Sequence, residues 1–255
     1  MSFPYRHAMN VAAHRGDSYN CFENTMEAFR AAVDAGADMI ETDIRLTADD
    51  RLVLFHDAGA LRVAGVDKKI QELTLAQVRQ LNVGNEVHPA QVPTLEEFLA
   101  WAAPLDIWLN LELKEYYLPG NEEKCRLCVD KTMALVEQYG LRDRVVMNSF
   151  DAWPLEYIDE KFGHSYMLHG FYPYAAMKNV NRNPDEYLFC ACISYSSKNK
   201  AYYDHLLEKG IEPWIGASQT SVDMLEQAVR YGAKLVTAND PGDAVAKLKK
   251  LGRRV

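Results

Sequence analysis

The sequence predicts an α/β fold of the (β/α)8 TIM barrel type. Short apolar runs of strand length alternate with stretches of helical period eight times along the 255 residues. Several helical stretches stop at a glycine just before the next apolar run. Repeated strand, helix, strand order implies parallel strands joined by crossovers, and eight such strands suffice to close a barrel. An open doubly wound sheet is the alternative that the same alternation allows. Residues 1–255 read as one domain.

The first strand falls at 10–13. Thr25 can cap a helix over 25–35 that carries Ala28, Phe29, Ala32 and Val33, with Gly36 as its stop. A strand at 39–44 follows, and then the rhythm breaks, because 45–106 holds more chain than one crossover needs. Within it 51–55 reads as a short extra strand, 61–92 as polar and irregular with a weak helix at 75–81, and 95–102 as a helix. We read 47–93 as a small inserted cap over one barrel end. Strands at 107–113, 145–149, 165–168, 188–193, 213–215 and 235–238 then alternate with helices at 122–139, 152–162, 201–209, 221–231 and 243–251. Gly140, Gly210 and Gly232 repeat the glycine stop.

Twenty-eight Lys and Arg against 36 Asp and Glu leave a net charge of −8, which disfavours nucleic acid and anionic lipid as partners. No stretch of about 18 apolar residues occurs, and residues 1–16 lack the basic and apolar pattern of an export signal. The expectation is a cytoplasmic protein without stable membrane association. Its five cysteines read as thiols, and the C-x-x-C of Cys125 and Cys128, inside a helical stretch, reads as buried thiols rather than a zinc site. With 14 Tyr and 4 Trp the composition suits a monomer or a dimer equally.

The strand at 39–44 places Glu41 and Asp43 on one face with Ile40 and Ile44 opposite, because strand side chains alternate. The strand at 107–113 repeats the device, with Asn110 and Glu112 alternating against Leu109, Leu111 and Leu113 and Lys114 just beyond. In a barrel these polar faces point inward, where charge is costly unless paired or bound to a metal. The plainer reading is interior ion pairing, Glu112 with Lys114 and the other two acids with Arg45 or Arg15. Carboxylates near the C-terminal strand ends also suit a site, where Glu41, Asp43 and Glu112 would hold one divalent cation, Mg²⁺ or Ca²⁺. His14 and His56 close two apolar runs, and paired imidazoles beside such a centre suit general base and general acid. Arg15 and Lys114 add fixed positive charge for an anionic substrate, so phosphate-ester cleavage is the reaction class that uses the whole set.

These residues lie in ordered motifs: His14-Arg15-Gly16, Glu23-Asn24-Thr25, Ala28-Phe29, Gly36-Ala37-Asp38, Glu41-x-Asp43, Thr47-x-Asp49 and His56-Asp57. Further on stand Leu73-Thr74-Leu75, Pro93-Thr94-Leu95-Glu96-Glu97, Glu112-Leu113-Lys114 and Ser149-Phe150-Asp151. In order and spacing the chain resembles the glycerophosphodiester phosphodiesterase family. The resemblance implies a barrel with an insertion after the second strand and metal-dependent hydrolysis of deacylated phospholipids, such as glycerophosphocholine or glycerophosphoethanolamine, to sn-glycerol 3-phosphate and an alcohol. It gives His14 and His56 the acid and base roles, Glu41, Asp43 and Glu112 the cation, and Arg15 and Lys114 the phosphate. A glycerol hydroxyl that attacks first would give a cyclic phosphate, which water then opens. The chain departs from the family pattern at Leu61-Arg62, after His56-Asp57, and in its C-terminal half at Trp214-Ile215-Gly216-Ala217 and at Thr237-Ala238-Asn239-Asp240-Pro241.

Phe150 and Trp214 are the expected aromatic walls of the substrate pocket, with Tyr116, Tyr117 and the 166–174 region as further candidates. His7, His88, His164, His169 and His205 are expected to be structural. Two other readings keep the same residues: action on a lysophospholipid or another phosphodiester, and a protein that binds glycerophosphodiesters without turning them over.

Overall fold

A computed structural model describes residues 3–193, 198–218 and 220–254. Nine strands form one sheet. They are β1 (Asn10–His14), β2 (Met39–Leu46), β3 (Leu52–Leu54), β4 (Trp108–Leu113), β5 (Val145–Asn148), β6 (Met167–Tyr172), β7 (Cys190–Ile193), β8 (Glu212–Ile215) and β9 (Leu235–Ala238). Eight are parallel neighbours in the order β1-β2-β4-β5-β6-β7-β8-β9, and β1 pairs with both β2 and β9, so the barrel is closed. The extra strand β3 lies antiparallel on the outer end of β2, with Ile44 opposite Leu54 and Leu46 opposite Leu52.

The helices are α1 (Met26–Asp34), α2 (Leu61–Ala64), α3 (Leu75–Val78), α4 (Leu95–Ala102), α5 (Glu122–Gln138), α6 (Ala152–Phe162), α7 (Lys200–Glu208), α8 (Val222–Arg230) and α9 (Pro241–Lys250). The starts of all but α2 and α5 follow from side chains that accept the first free amides. Thr25 accepts from Ala28 N, Thr94 forms a reciprocal cap with Glu97, and Asp240 precedes Pro241 and accepts from Asp243 N. Outward-facing strand residues such as Val11, Ile40, Ile44, Leu109, Leu111 and Val236 pack against Phe29, Leu95, Phe98 and Val129 of the helical shell.

Inside the barrel each of the eight strands contributes one residue to a lower layer: Ala12, Met39, Trp108, Val146, Met167, Cys190, Trp214 and Leu235. Phe3 plugs this layer, its ring 4.4 Å from that of Trp108. The barrel floor is thus apolar, and the polar residues of the same strands stand above it.

Two segments differ from expectation. The 61–92 stretch, expected to be polar, has an apolar core of its own, in which Ile70, Leu73, Val78, Leu81, Val83 and Val92 gather with Val53, Phe55 and Ala60. Its helices are single turns, each offering one or two apolar residues, so no period shows in the sequence. The strand expected at 165–168 is β6 and runs on to Tyr172, because Gly170 continues the strand rather than turning it. A side chain there would meet Leu188 Cδ1 at 2.6 Å and Met177 Sδ at 3.0 Å, so glycine admits the close packing of that face.

Candidate active site

β2 and β4 run side by side in a register that pairs Glu41 with Asn110 and Asp43 with Glu112. Alternation turns these four inward at the barrel mouth, and one carboxylate oxygen from each of Glu41, Asp43 and Glu112 lies within 4.8 Å of the others. All three acids are buried. Lys114 Nζ contacts Glu112 and stands 3.1 Å from Asp43, while Arg15 Nε lies 3.4 Å from Asp43.

Glu41 is served less well. Its Oε2 accepts from the backbone N of Arg15 at 2.9 Å, and its Oε1 is buried without a hydrogen-bond partner. Burial, then the charges of Asp43 and Glu112, push the Glu41 carboxyl well above its ordinary range. Burial also raises Glu112 against the pull of Lys114. Burial works the same way on Asp43, but Lys114 and then Arg15 outweigh it and hold that carboxyl down to about 2. Glu41 Oε1 and Asp43 Oδ1 both lack a hydrogen-bond partner among the described residues, and only Glu41 Oε1 also lacks an ion pair, so three convergent hard oxygen donors, one of them unpartnered in both senses, fit a divalent cation.

The loop after β1 brings Arg15 and His14 to this cluster. Arg15 adopts a left-handed backbone (φ 58°), and Gly16 follows at φ 78°, where a Cβ would sit 2.6 Å from the backbone of Ala28. Asn24, also left-handed, donates from Nδ2 to Asp43 Oδ2 at 2.8 Å and accepts from Thr42 Oγ1 at 2.7 Å, which fixes the Asp43 carboxylate. His14 Nδ1 donates to Asn239 Oδ1 at 2.6 Å, and its Nε2 lies 3.9 Å from Glu41 Oε2. Burial and the nearby Arg15 lower its pKa to about 4, so at neutral pH its Nε2 is free to accept a proton.

His56 follows β3. Its Nδ1 is bonded to Asp57 Oδ1 at 2.6 Å, and a chain of charged contacts ties Asp57 through Arg62 and Glu23 back to Arg15. Arg45, on the β2 side, donates from Nε and Nη2 to the carbonyl of His56 at 3.0 and 2.8 Å and from Nη1 to that of Lys114 at 3.3 Å. One guanidinium therefore sets both the cap histidine and the β4 lysine. A barrel-mouth cavity of about 390 Å³ is lined by His14, Glu41, Glu112, Asn148, Phe150 and His169 among others. Phe150 stacks on Phe171 and lies 5.8 Å from Lys114 Nζ.

Of the residues expected from sequence, the two histidines, three acids, Arg15, Lys114 and Phe150 are gathered at this mouth. Trp214 is not. It is fully buried in the apolar floor, donates from Nε1 to Tyr5 Oη at 3.2 Å, and is no pocket wall. β8 places Trp214 one layer too low, and the backbone of 216–218 lines the cavity above it. His169, expected to be structural, lines the cavity instead. The early strand end assigned at Leu168 hid its inward position. Asn239 and Arg62, named from sequence only as parts of stretches that depart from the family pattern, also carry site contacts.

A closed parallel barrel with an acidic and imidazole-bearing rim at its C-terminal strand ends defines a (β/α)8-barrel protein of the kind that keeps its site in the strand-to-helix loops. Among such proteins, this chain belongs to the glycerophosphoryl diester phosphodiesterase family, whose sequence pattern matches residues 14–253. It is 32% identical over 160 residues to a glycerophosphodiester phosphodiesterase of Caldanaerobacter subterraneus, a match covering 60% of this chain and 63% of that one. The chain spans less than two thirds of the length of the curated relatives it matches. A structure from Silicibacter pomeroyi superposes with a TM-score of 0.84 at 20% identity, covering 99% of this chain and 96% of that one. A phosphodiesterase from Oleispira antarctica, in complex with the product sn-glycerol-3-phosphate, superposes at 0.78 with 20% identity, covering 94% and 96%.

Proposed function

We propose that the chain hydrolyses glycerophosphodiesters to sn-glycerol 3-phosphate and a free alcohol, as one barrel domain with residues 47–93 as its cap. The observation that carries the reading is a cluster of three buried carboxylates, one oxygen of it unpartnered, beside a neutral imidazole tethered at Nδ1. Family membership and the product complex of the Oleispira relative support it.

In this reading Glu41, Asp43 and Glu112 hold a divalent cation, Mg²⁺ or Ca²⁺. Such a cation supplies polarisation of the phosphoryl oxygens. Arg15 and Lys114 contact the phosphate, and Phe150 packs against carbon atoms of the substrate. Of the two histidines, one takes the proton from the attacking oxygen and the other gives a proton to the departing alcohol oxygen as its P–O bond breaks. The attacking oxygen is that of water or of a glycerol hydroxyl, the latter giving a cyclic phosphate that water opens. Both imidazoles are bonded at Nδ1, which leaves Nε2 for this work.

The partner is a small phosphodiester rather than a nucleic acid or a membrane, in keeping with the charge of −8. No helix among the described residues is long and apolar enough to cross a membrane. Cys21, Cys125, Cys128 and Cys190 are thiols, which suits a reducing, cytoplasmic setting.

Release of glycerol 3-phosphate from glycerophosphocholine and glycerophosphoethanolamine, before and after chelation, tests the reading. Release that stops with chelator and returns with Mg²⁺ or Ca²⁺ is the expected result. No release with any cation would overturn hydrolysis and leave a binding protein or a different phosphodiester.

A further inference from the structure

The barrel mouth carries buried polar groups that neither a cation nor a phosphate accounts for. In register Asp43 pairs with Glu112, Glu112 with Asn148, and Asn148 with His169, so one polar row crosses β2, β4, β5 and β6 from the carboxylates to an imidazole. Asn148 and His169 are 2% and 3% exposed, and both line the cavity. Asn148 Oδ1 and His169 Nε2 have no hydrogen-bond partner among the described residues. Buried polar atoms left in that state are costly and point to a ligand.

The His169 ring is held in place from several sides. It packs 4.9 Å from the Trp214 ring and 5.3 Å from that of Phe171. Its Nδ1 faces the Asn110 amide, 3.2 Å from Nδ2 and 3.5 Å from Oδ1, and the shorter contact, in which Nδ2 donates, places the proton on Nε2. Burial lowers its pKa to about 3, so the ring is a fixed neutral donor rather than an acid or base at working pH. The unserved pair is therefore one donor and one acceptor on adjacent strands.

We propose that His169 and Asn148 form a hydroxyl-recognition subsite, in which His169 Nε2–H donates to, and Asn148 Oδ1 accepts from, a single hydroxyl of the glycerol moiety. This rests on the glycerophosphodiester reading and deepens it. An alcohol hydroxyl both accepts and donates, whereas a carbonyl would leave Asn148 Oδ1 unserved and a quaternary ammonium would leave both. The stacked Phe150 and Phe171 rings give the adjoining carbons an apolar wall. His169 is then a specificity-determining residue, and the discrimination it supplies comes from its buried donor being left unpaired when the hydroxyl is missing.

Calorimetric titration of the Mg²⁺- or Ca²⁺-loaded protein tests this with four probes. They are sn-glycerol 3-phosphate, 3-hydroxypropyl phosphate without the central hydroxyl, 2-hydroxypropyl phosphate without the terminal one, and inorganic phosphate. The wild type is expected to bind one of the two deoxy compounds about 10- to 100-fold more weakly than glycerol 3-phosphate. His169→Phe and His169→Leu are each expected to bind glycerol 3-phosphate as weakly as that compound, with affinity for inorganic phosphate unchanged. Two replacements of different volume are used so that a fold defect in one, seen by melting, leaves the other to decide. A variant that keeps the full preference for glycerol 3-phosphate overturns the subsite, as does an equal loss for all four probes. If the wild type cleaves glycerophosphodiesters while either result holds, the subsite alone fails. If it neither cleaves them nor binds glycerol 3-phosphate, the functional reading beneath it fails too.

Discussion

Replacing Glu41 by Gln should stabilise the cation-free protein while removing its response to cations. At most 4.8 Å separates the facing carboxylate oxygens of Glu41, Asp43 and Glu112, so at an effective dielectric of about 20 each ionised pair repels by about 3.5 kcal/mol or more. Glu41 faces two such neighbours, and Arg15 and Lys114 offset only part of this. Gln keeps an acceptor for Arg15 N and removes the charge, so a net gain of about 2 kcal/mol, or about 4–8 °C in melting temperature, is expected in chelator. The gain depends on pH with a definite sign. Burial and its acidic neighbours raise Glu41 in the fold, so its contribution to stability is full below the ordinary carboxylate range and drains away as pH rises through the raised value. The advantage of E41Q over the wild type therefore grows from acid toward alkaline pH. Cation at about a hundred times its Kd should add about 2.7 kcal/mol, about 5–10 °C, to the wild type and little to E41Q. Melting curves in chelator and in Mg²⁺ or Ca²⁺ across the pH range measure all of this. An E41Q protein that melts below the chelated wild type, or gains as much from cation, would refute the assignment of Glu41 as a site built for a cation.

His14→Ala and His56→Ala should each lower kcat about 10²- to 10⁴-fold while keeping the cation-dependent rise in melting temperature, read by glycerol 3-phosphate release beside melting curves. Arg45→Met removes the fork on the carbonyls of His56 and Lys114, and should lower kcat about tenfold or more with KM little changed; a change in KM alone would count against a positioning role. Trp214→Phe should cost about 1–3 kcal/mol by leaving space in the barrel floor while kcat stays put, whereas Phe150→Ala should raise KM without that loss of stability, and steady-state kinetics with denaturant melts separate the two.

The barrel was legible because its signals are local and repeated. Thr25, Thr94 and Asp240 announce helix starts within a few residues, and Ile40, Ile44, Leu109 and Leu111 show the buried outer face by alternation alone. The same alternation exposed Glu41, Asp43 and Glu112 as a polar inner face. Alternation gives the side of a strand but not its height along the barrel axis, which is why Trp214 was expected beside the substrate and lies in the floor. His169 was missed because the strand expected at 165–168 stops one residue short of it, whereas β6 runs through His169 and Gly170 to Tyr172. The contacts of Arg62 with Glu23 and of His14 with Asn239 join residues 39 and 225 positions apart, and no local pattern could encode them.

The charges at the barrel mouth are not arranged to satisfy one another, and this supports the proposed site over interior ion pairing. Lys114 serves Asp43 and Glu112, Arg15 leans on Asp43, and Glu41 is left with a backbone amide, a neutral imidazole at 3.9 Å and one unpartnered oxygen. Buried ion pairs are weak stabilisers even when complete, and apolar replacements of similar volume are often as stable or more so. The outer faces of the same strands show what stability asks for, since Ile40, Ile44, Leu109, Leu111 and Leu113 are all fully buried against the helices. An incomplete acid cluster on the inner face costs stability that those leucines and isoleucines offset. In the proposed reading a cation would meet its unmatched negative charge and unserved oxygen, and the two basic side chains beside it would then face an anion rather than the acids alone.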